Sequence, residues 1–119
     1  MRKMSDVQAA VWETHIDKGW HTLSRTAVEE VALVHCELSE AVEAYRDYKL
    51  NGWFERGTVY SDVDHGPLWK PSGFFTELAD AVIRVMNVFS EHGKDLEEHI
   101  LRKDEYNQRR ERLHGGKLI

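Results

Sequence analysis

The sequence predicts an all-α fold, an antiparallel four-helix bundle within one domain. Four segments carry the 3.6-residue apolar periodicity of amphipathic helices, and the one candidate strand is a short piece at residues 58–60. The connections between helices are short except at residues 51–73, and short connections favour antiparallel neighbours. A chain of 119 residues is long enough to bury one core and falls short of a second.

Helix one is predicted at residues 6–18. A capping box of Ser5 and Gln8 opens it, because each of these side chains can bond a backbone N–H group that the first turn leaves unpaired. Gly19 closes it, since glycine adopts the left-handed conformation of a helix end without steric cost.

Helix two is predicted at residues 26–50. Thr26 and Glu29 form the capping box at its start, and an Asn-Gly pair stops it. We expect its most apolar stripe to face the core. That stripe consists of Val28, Val31, Leu38, Val42 and Tyr45.

Helices three and four follow a long connection at residues 51–73. The connection is rich in Gly, Pro and aromatic residues, and Trp53 and Trp69 indicate an ordered, functional loop, because large aromatic side chains favour burial. Helix three is predicted from Phe74 to about residue 93. Helix four is predicted at residues 95–113, opened by a capping box of Asp95 and Glu98 and stopped by the sequence "HGGK".

Composition narrows the class of protein. The 16 basic and 21 acidic residues give a net charge of −5, which does not predict a nucleic-acid surface. Cys36 is the only cysteine, so an intrachain disulfide and a cysteine zinc site are excluded and a reducing compartment is expected. No apolar run approaches the ~20 residues of a membrane span, and the start lacks the apolar region of a signal peptide. We therefore expect a cytoplasmic protein that binds neither membrane nor nucleic acid.

The mostly apolar third helix carries a line of polar residues whose burial needs an explanation. Glu77, Asp80, Arg84 and Asn87 fall within about 80° of arc on a helical wheel, while apolar residues occupy nearly all the rest. Burying a carboxylate without a partner costs several kcal/mol. The pattern therefore predicts a positive partner for this pair, and Arg84 alone is not enough.

Helix two carries a matching acidic pair. Glu37 and Glu40 are three residues apart on one face, beside the small or apolar residues Leu33, Ala41 and Ala44. If helices two and three pack antiparallel, four carboxylates converge. Carboxylate and water ligands suit Mg²⁺ or Mn²⁺, and the absence of clustered Cys or His ligands argues against zinc.

Spacing alone leaves other interpretations open. Each acidic pair is also typical of a solvated helix face, and Asp80 with Arg84 is also the spacing of an ordinary ion pair. Helix four ends in a basic segment, "LRKDEYNQRRERLHGGKLI". Its basic residues either complement the helix dipole or, with Gly115 and Gly116, form a clamp for phosphates.

Four pieces of the chain together resemble the MazG-like all-α nucleoside triphosphate pyrophosphohydrolases. They are "ELSEA", "ELADAVIRVMNV", "DLEEHILRKDEYNQRR" and "HGGK", which occur in the family's order within residues 28–117. The resemblance implies that residues 1–119 form a single MazG-like helical domain with a long loop at 51–73, assembled as a homodimer or homotetramer. It implies a hydrolase of nucleotide-pool housekeeping that converts a (d)NTP and water to a (d)NMP and pyrophosphate. The implied cofactor is Mg²⁺, with Mn²⁺ as a substitute.

The resemblance also assigns residues. The implied metal ligands are Glu37, Glu40, Glu77 and Asp80, and the implied phosphate-binding residues are Lys103, Asn107, Arg110 and Lys117. For the catalytic base that accepts a proton from the attacking water we choose Glu40, because it lies further from the apolar stripe of its helix than Glu37 does. The family often has a glutamate where this chain has Cys36, and often a shorter connection between the acidic motifs.

Aromatic side chains are the candidates for binding the base of the nucleotide. A nucleotide pocket needs a flat apolar wall, and the candidates are aromatic: Trp12, His15 and Trp20 near the end of the first helix, and Trp53, Phe54 and Trp69 in the long loop. Each of them also suits a core or an interface. The alternative function is a non-enzymatic helical interaction module whose acidic patches are solvated or pair with basic partners.

Overall fold

A computed structural model describes the backbone at residues 3–51, 59–61 and 70–110, and the side chains at 3–46 and 73–110. These residues form four α-helices, which confirms the predicted helical class: α1 Met4–Asp17, α2 Ala27–Asn51, α3 Phe74–Glu91 and α4 Leu96–Arg109. A 3-10 helix at Trp20–Thr22 follows α1. Strands β1 (Val59–Ser61) and β2 (Lys70–Ser72) pair antiparallel, with Tyr60 opposite Pro71. Of this ribbon, the sequence indicated only the first strand.

Helix α1 ends where the sequence predicts, but it begins differently. Gly19 has a φ of 75°, the left-handed conformation that ends a helix. The predicted capping box of Ser5 and Gln8 is wrong. Lys3 is the N-cap, and its backbone N–H donates to Oδ2 of Asp6 at 3.1 Å. Ser5 and Gln8 are instead turned towards the junction of α3 and α4.

Gln8 joins α1 to this junction through three hydrogen bonds. Its Nε2 donates to Oγ of Ser90 at 3.0 Å and to the carbonyl of Lys94 at 2.9 Å, and its Oε1 accepts the N–H of Leu96 at 2.9 Å. Leu96 is the first residue of α4, so its N–H has no partner within the helix. The Gln8 side chain, only 7% exposed, therefore caps a helix that begins 88 residues later.

The predicted capping box of Asp95 and Glu98 is wrong for the same reason. Asp95 is the N-cap of α4 but makes no side-chain cap bond. Its Oδ1 accepts a hydrogen bond from Oγ of Ser5 at 3.0 Å, and Oε2 of Glu97 lies 2.7 Å from the same hydroxyl. Glu98 pairs with Arg102 on the surface of α4. Contacts with α1 thus replace the local cap.

Helix α2 has the predicted start but not the predicted inner face. Thr26 and Glu29 form both capping-box bonds, each at 3.1 Å. The apolar stripe expected in the core is exposed: Val28 79%, Val31 50%, Leu38 42%, Val42 51% and Tyr45 38%. Among the side chains of α2 that the structure describes, Ala41 and Glu37 are the buried ones, at 2% and 9% exposure, and α3 packs against this helix. A small side chain at the contact permits close approach, so α2 turns a face of small and acidic residues towards α3.

The core is small within the part of the chain that the structure describes. Helix α3 packs on α2 and α1, and α1 also contacts α4. The buried apolar residues are Ala41, Ala81, Met86 and Leu96. Gly93, with a φ of 67°, follows the end of α3 as predicted, whereas α4 ends at Arg109, four residues earlier than predicted. None of the described helices is both long and apolar enough to cross a bilayer.

Candidate functional site

The packing of α2 against α3 brings three carboxylates together. Oxygens of Glu37, Glu40 and Glu77 all lie within 4.8 Å of one another. Ligands on opposite sides of one hard cation are separated by about 4–5 Å, because each oxygen lies about 2.0–2.6 Å from the ion. The two i, i+3 acidic pairs of the sequence therefore do converge, with three of their four members in this acidic triad.

Burial and neighbouring charge make Glu77 hold its proton. The pKa of Glu77 is raised to about 7, first by desolvation and then by a hydrogen bond with Glu40 and the negative charges of Glu40, Asp80 and Glu37. Near neutral pH the protonated Glu77 carboxyl donates to Glu40. The proton reduces the repulsion between the carboxylates, as a bound cation would.

Glu37 obtains a positive partner from the opposite helix. Nε of Arg84 on α3 donates to Oε1 of Glu37 on α2 at 2.8 Å. The Glu37 side chain is only 12% exposed, so this bond satisfies a carboxylate that water barely reaches. The sequence suggested Asp80 as an ion-pair partner for Arg84; the structure gives Arg84 this bond across the helix interface.

Asp80 lies beside the triad but is not one of its three members. It lines a cavity together with Glu37 and Arg84, and its charge contributes to the raised pKa of Glu77. The fourth predicted metal ligand therefore lines the cavity beside Glu37 and is not among the three carboxylates whose oxygens lie within 4.8 Å of one another.

The cavity next to the triad has a volume of about 380 Å³, within the range of small-molecule sites. Its lining comes from α1, α2, α3 and the segment after α1: His15, Trp20, Leu23, Arg25, Glu30, Glu37, Asp80, Ile83, Arg84 and Asn87. One end is thus acidic and shared with the triad, while the remainder mixes aromatic, aliphatic and basic groups.

Aromatic rings form one wall of this cavity. His15 stacks on Trp12, with ring centroids 5.0 Å apart, and meets the edge of Trp20 at 6.1 Å. Burial is the main cause that lowers the pKa of His15, so its imidazole is mostly neutral at pH 7. Of the predicted base-binding residues, Trp20 lines the cavity and Trp12 supports His15 from behind. Trp53 and Trp69 lie outside the described residues.

Four cavity residues had no role in the sequence interpretation: Leu23, Arg25, Glu30 and Ile83. Arg25 and Glu30 form an ion pair at 3.9 Å. No motif singles them out, because their roles arise only when the segment after α1 folds against α2 and α3. Asn87, the last residue of the polar line on α3, has its Oδ1 buried without a hydrogen-bond partner.

The predicted phosphate-binding residues Lys103, Asn107 and Arg110 do not line this cavity. Lys103 and Asn107 are exposed on α4, which packs on α1. Nζ of Lys103 and the guanidinium of Arg110 lie 4.8 and 5.6 Å from the ring centre of Tyr106. Lys117 lies outside the described residues.

The chain matches no known family profile, no curated protein and no solved structure. Any assignment of function to it therefore depends on the geometry of the triad and the cavity, together with the motifs in the sequence.

Proposed function

We propose that the chain is a Mg²⁺-dependent pyrophosphohydrolase, which hydrolyses a nucleoside triphosphate to the monophosphate and pyrophosphate. The observation that carries this proposal is the acidic triad of Glu37, Glu40 and Glu77, which is assembled from two helices and shares Glu37 with the lining of a cavity of about 380 Å³. A cation site next to a pocket of nucleoside size suits a substrate that joins a polyphosphate to a base.

The donor set fits a hard divalent ion. All three groups are carboxylates, the ligands that Mg²⁺ and Mn²⁺ prefer, and the raised pKa of Glu77 marks a place where positive charge is favoured. Glu37, Glu40 and Glu77 would hold the ion, with Asp80 at the edge of the site. When bound, the metal supplies charge neutralisation for the phosphates and lowers the pKa of water.

Glu40 is the member of the triad that we assign as general base. It is exposed, whereas Glu37 is nearly buried and bonded to Arg84. In the metal-free protein its carboxylate also accepts the hydrogen bond that the protonated Glu77 carboxyl donates, so it is already placed to take a hydrogen bond. In the reaction it accepts a proton from the water that attacks the α-phosphorus.

The rest of the cavity suits the nucleoside. The neutral ring of His15 and the indole of Trp20 offer flat surfaces for a base, and Leu23 and Ile83 offer apolar contact. With the base at this wall, the phosphates point towards the acidic end. Trp12 acts indirectly, by stacking on His15; roles for Trp53 and Trp69 remain predictions from the sequence.

The position of α4 leads us to infer a second copy of the chain. Lys103, Asn107 and Arg110 contribute nothing to the cavity lining, and α4 packs against α1. We infer that this basic face binds the phosphates held by a neighbouring copy; Lys117, which the resemblance adds to this set, lies outside the described residues. The active assembly is then a homodimer or a homotetramer.

Exposed apolar surface supports such an assembly. Val28, Val31, Leu38 and Val42, with His35 between them, alternate by three and four residues, which is the heptad spacing of helix pairs. The residues that flank this exposed seam, Ala32 and Ser39, are small and uncharged.

Self-association through the seam is tested with Val31→Glu and Leu38→Glu. Each substitution places a charge in the centre of the seam, and the mass from light scattering should fall from that of the oligomer to that of the monomer. Glu43→Lys is the control, because Glu43 is exposed on α2 outside the seam. A wild-type protein that is monomeric at micromolar concentration would exclude the homo-oligomer.

The function is tested with a panel of canonical and modified nucleoside triphosphates and Mg²⁺, with products resolved as pyrophosphate or orthophosphate. We expect a monophosphate and pyrophosphate in equal amounts, and no product in EDTA. The alternative, a non-enzymatic interaction module, predicts no product and no stabilisation by Mg²⁺. A specific ion at 100 times its dissociation constant raises the free energy of unfolding by about 2.7 kcal/mol.

A further inference from the structure

Arg84 stands at the boundary between the acidic triad and the cavity. Its Nε donates to Glu37 at 2.8 Å, and its side chain also lines the cavity. It is 36% exposed, so the guanidinium is not locked in place by packing. One cationic side chain thus borders both the place proposed for the metal and the place proposed for the substrate.

In the metal-free protein, the bond from Arg84 neutralises the charge of Glu37. Glu37 is nearly buried and needs a positive partner, and Arg84 is that partner. A divalent ion at the triad would bind the same carboxylate and repel the guanidinium, because like charges at short range repel each other. The ion and Arg84 therefore compete for Glu37.

Asn87 offers a second position for the arginine. It lies three residues further along α3, on the same face as Arg84, and both line the cavity. Its Oδ1 is buried and lacks a hydrogen-bond partner in the arrangement described. A buried acceptor without a partner is rare and costly, and a guanidinium that leaves Glu37 meets this acceptor about one turn away.

We propose that Arg84 changes partner when the site is loaded: it leaves Glu37 when the metal binds, turns into the cavity next to Asn87, and binds a phosphate of the substrate. This inference rests on the proposed function. The metal-free protein uses Arg84 as a substitute cation, and the loaded protein uses the same side chain as a phosphate ligand, for which the planar guanidinium is suited. Arg84 couples metal binding to polyphosphate binding.

The test compares Arg84→Met, which keeps most of the apolar stem, with Arg84→Lys, which keeps the charge. Arg102→Met is the matched control, because Arg102 forms an exposed ion pair within α4. Calorimetry measures two affinities for each protein: that for Mn²⁺ alone, and that for inorganic pyrophosphate at saturating Mg²⁺. Thermal unfolding confirms that each variant is folded.

We expect the two affinities of Arg84→Met to change in opposite directions. Mn²⁺ should bind several-fold more tightly, because its competitor for Glu37 is gone. Pyrophosphate should bind about 10- to 100-fold more weakly, the range for a lost charge-assisted hydrogen bond. Arg84→Lys should lie between Met and wild type in both, and Arg102→Met should match wild type.

Two outcomes would overturn the inference. If Mn²⁺ binds Arg84→Met no more tightly than it binds the wild-type protein, Arg84 does not compete with the metal and only joins α2 to α3. If Arg84→Met binds pyrophosphate as tightly as the wild-type protein does, Arg84 is not a phosphate ligand. Both measurements are independent of turnover. A wild-type protein that binds Mn²⁺ and pyrophosphate but releases no product therefore refutes the proposed function without deciding the role of Arg84.

Discussion

The raised pKa of Glu77 predicts an unusual pH dependence of stability. Burial and the surrounding carboxylates raise this pKa from 4.5 to about 7 in the folded protein. Because the folded value lies above the unfolded one, the stabilisation is fully present below pH 4.5 and is lost as the pH rises through 7. We therefore expect the metal-free protein to lose stability between pH 4.5 and 7.5.

The size of this loss follows from the shift. The full shift corresponds to about 3 kcal/mol. Glu77 is only partly buried, so solvent screening reduces the expected loss to about 1–2 kcal/mol. Mg²⁺ should reverse it, because a cation stabilises the ionised carboxylate. The affinity for Mg²⁺ should in turn fall below pH 7, where a proton competes for the ligand.

Urea unfolding followed by circular dichroism measures this effect, at pH values from 4.5 to 8, with EDTA or with Mg²⁺. Glu77→Gln is the diagnostic variant, because it cannot ionise; Glu13→Gln, an exposed substitution on α1, is the control. The difference between wild type and Glu77→Gln isolates the titration of this one group. If that difference is constant across the pH range in EDTA, the account of the triad is wrong.

Three further predictions concern the site and its scaffold. Glu37→Gln and Asp80→Asn should each lower turnover at least about 100-fold and leave the protein folded, since even indirect changes to metal sites cost 10- to 100-fold; wild-type rates would remove the metal assignment. Gln8→Ala should lower the free energy of unfolding by about 2–4 kcal/mol, because it leaves buried donors and acceptors unpaired. The control for it, Gln108→Ala on the surface of α4, should cost under about 0.5 kcal/mol in the same denaturation assay. Glu37→Gln and Lys103→Ala proteins, each inactive alone, are unfolded together and refolded. If α4 binds phosphates at the site of a neighbouring copy in a dimer, about a quarter of wild-type activity should return, because one site in each mixed dimer has both an intact triad and an intact Lys103. No recovery would mean that Lys103 acts within its own chain or does not bind phosphates.

Local signals in the sequence predicted helix ends well where no distant group intervenes. Thr26 and Glu29 form the predicted capping box at an exposed helix start. Ser5 with Gln8, and Asp95 with Glu98, have suitable spacing but form no box, because Ser5 and Gln8 bond groups at the start of α4. A sequence states which caps are available; the tertiary fold decides which are used.

The prediction that the apolar stripe of α2 faces the core was wrong for a related reason. Periodicity identifies the apolar side of a helix but not what covers it, and Val28 and Val42 are exposed in the single chain. The acidic triad was predictable, because two i, i+3 pairs on adjacent antiparallel helices must meet if those faces are in contact. The bond between Arg84 and Glu37 was not, since it depends on the register of α3 against α2.

The hydrogen bonds of Gln8 also predict which positions can vary among related sequences. Two of its three hydrogen bonds are made to main-chain atoms, the carbonyl of Lys94 and the N–H of Leu96. Every amino acid provides a main-chain carbonyl, so the residue at position 94 can vary while Gln8 cannot be replaced without loss. Related sequences should therefore keep glutamine at position 8 opposite a variable position 94, a pattern that pairwise covariation would overlook.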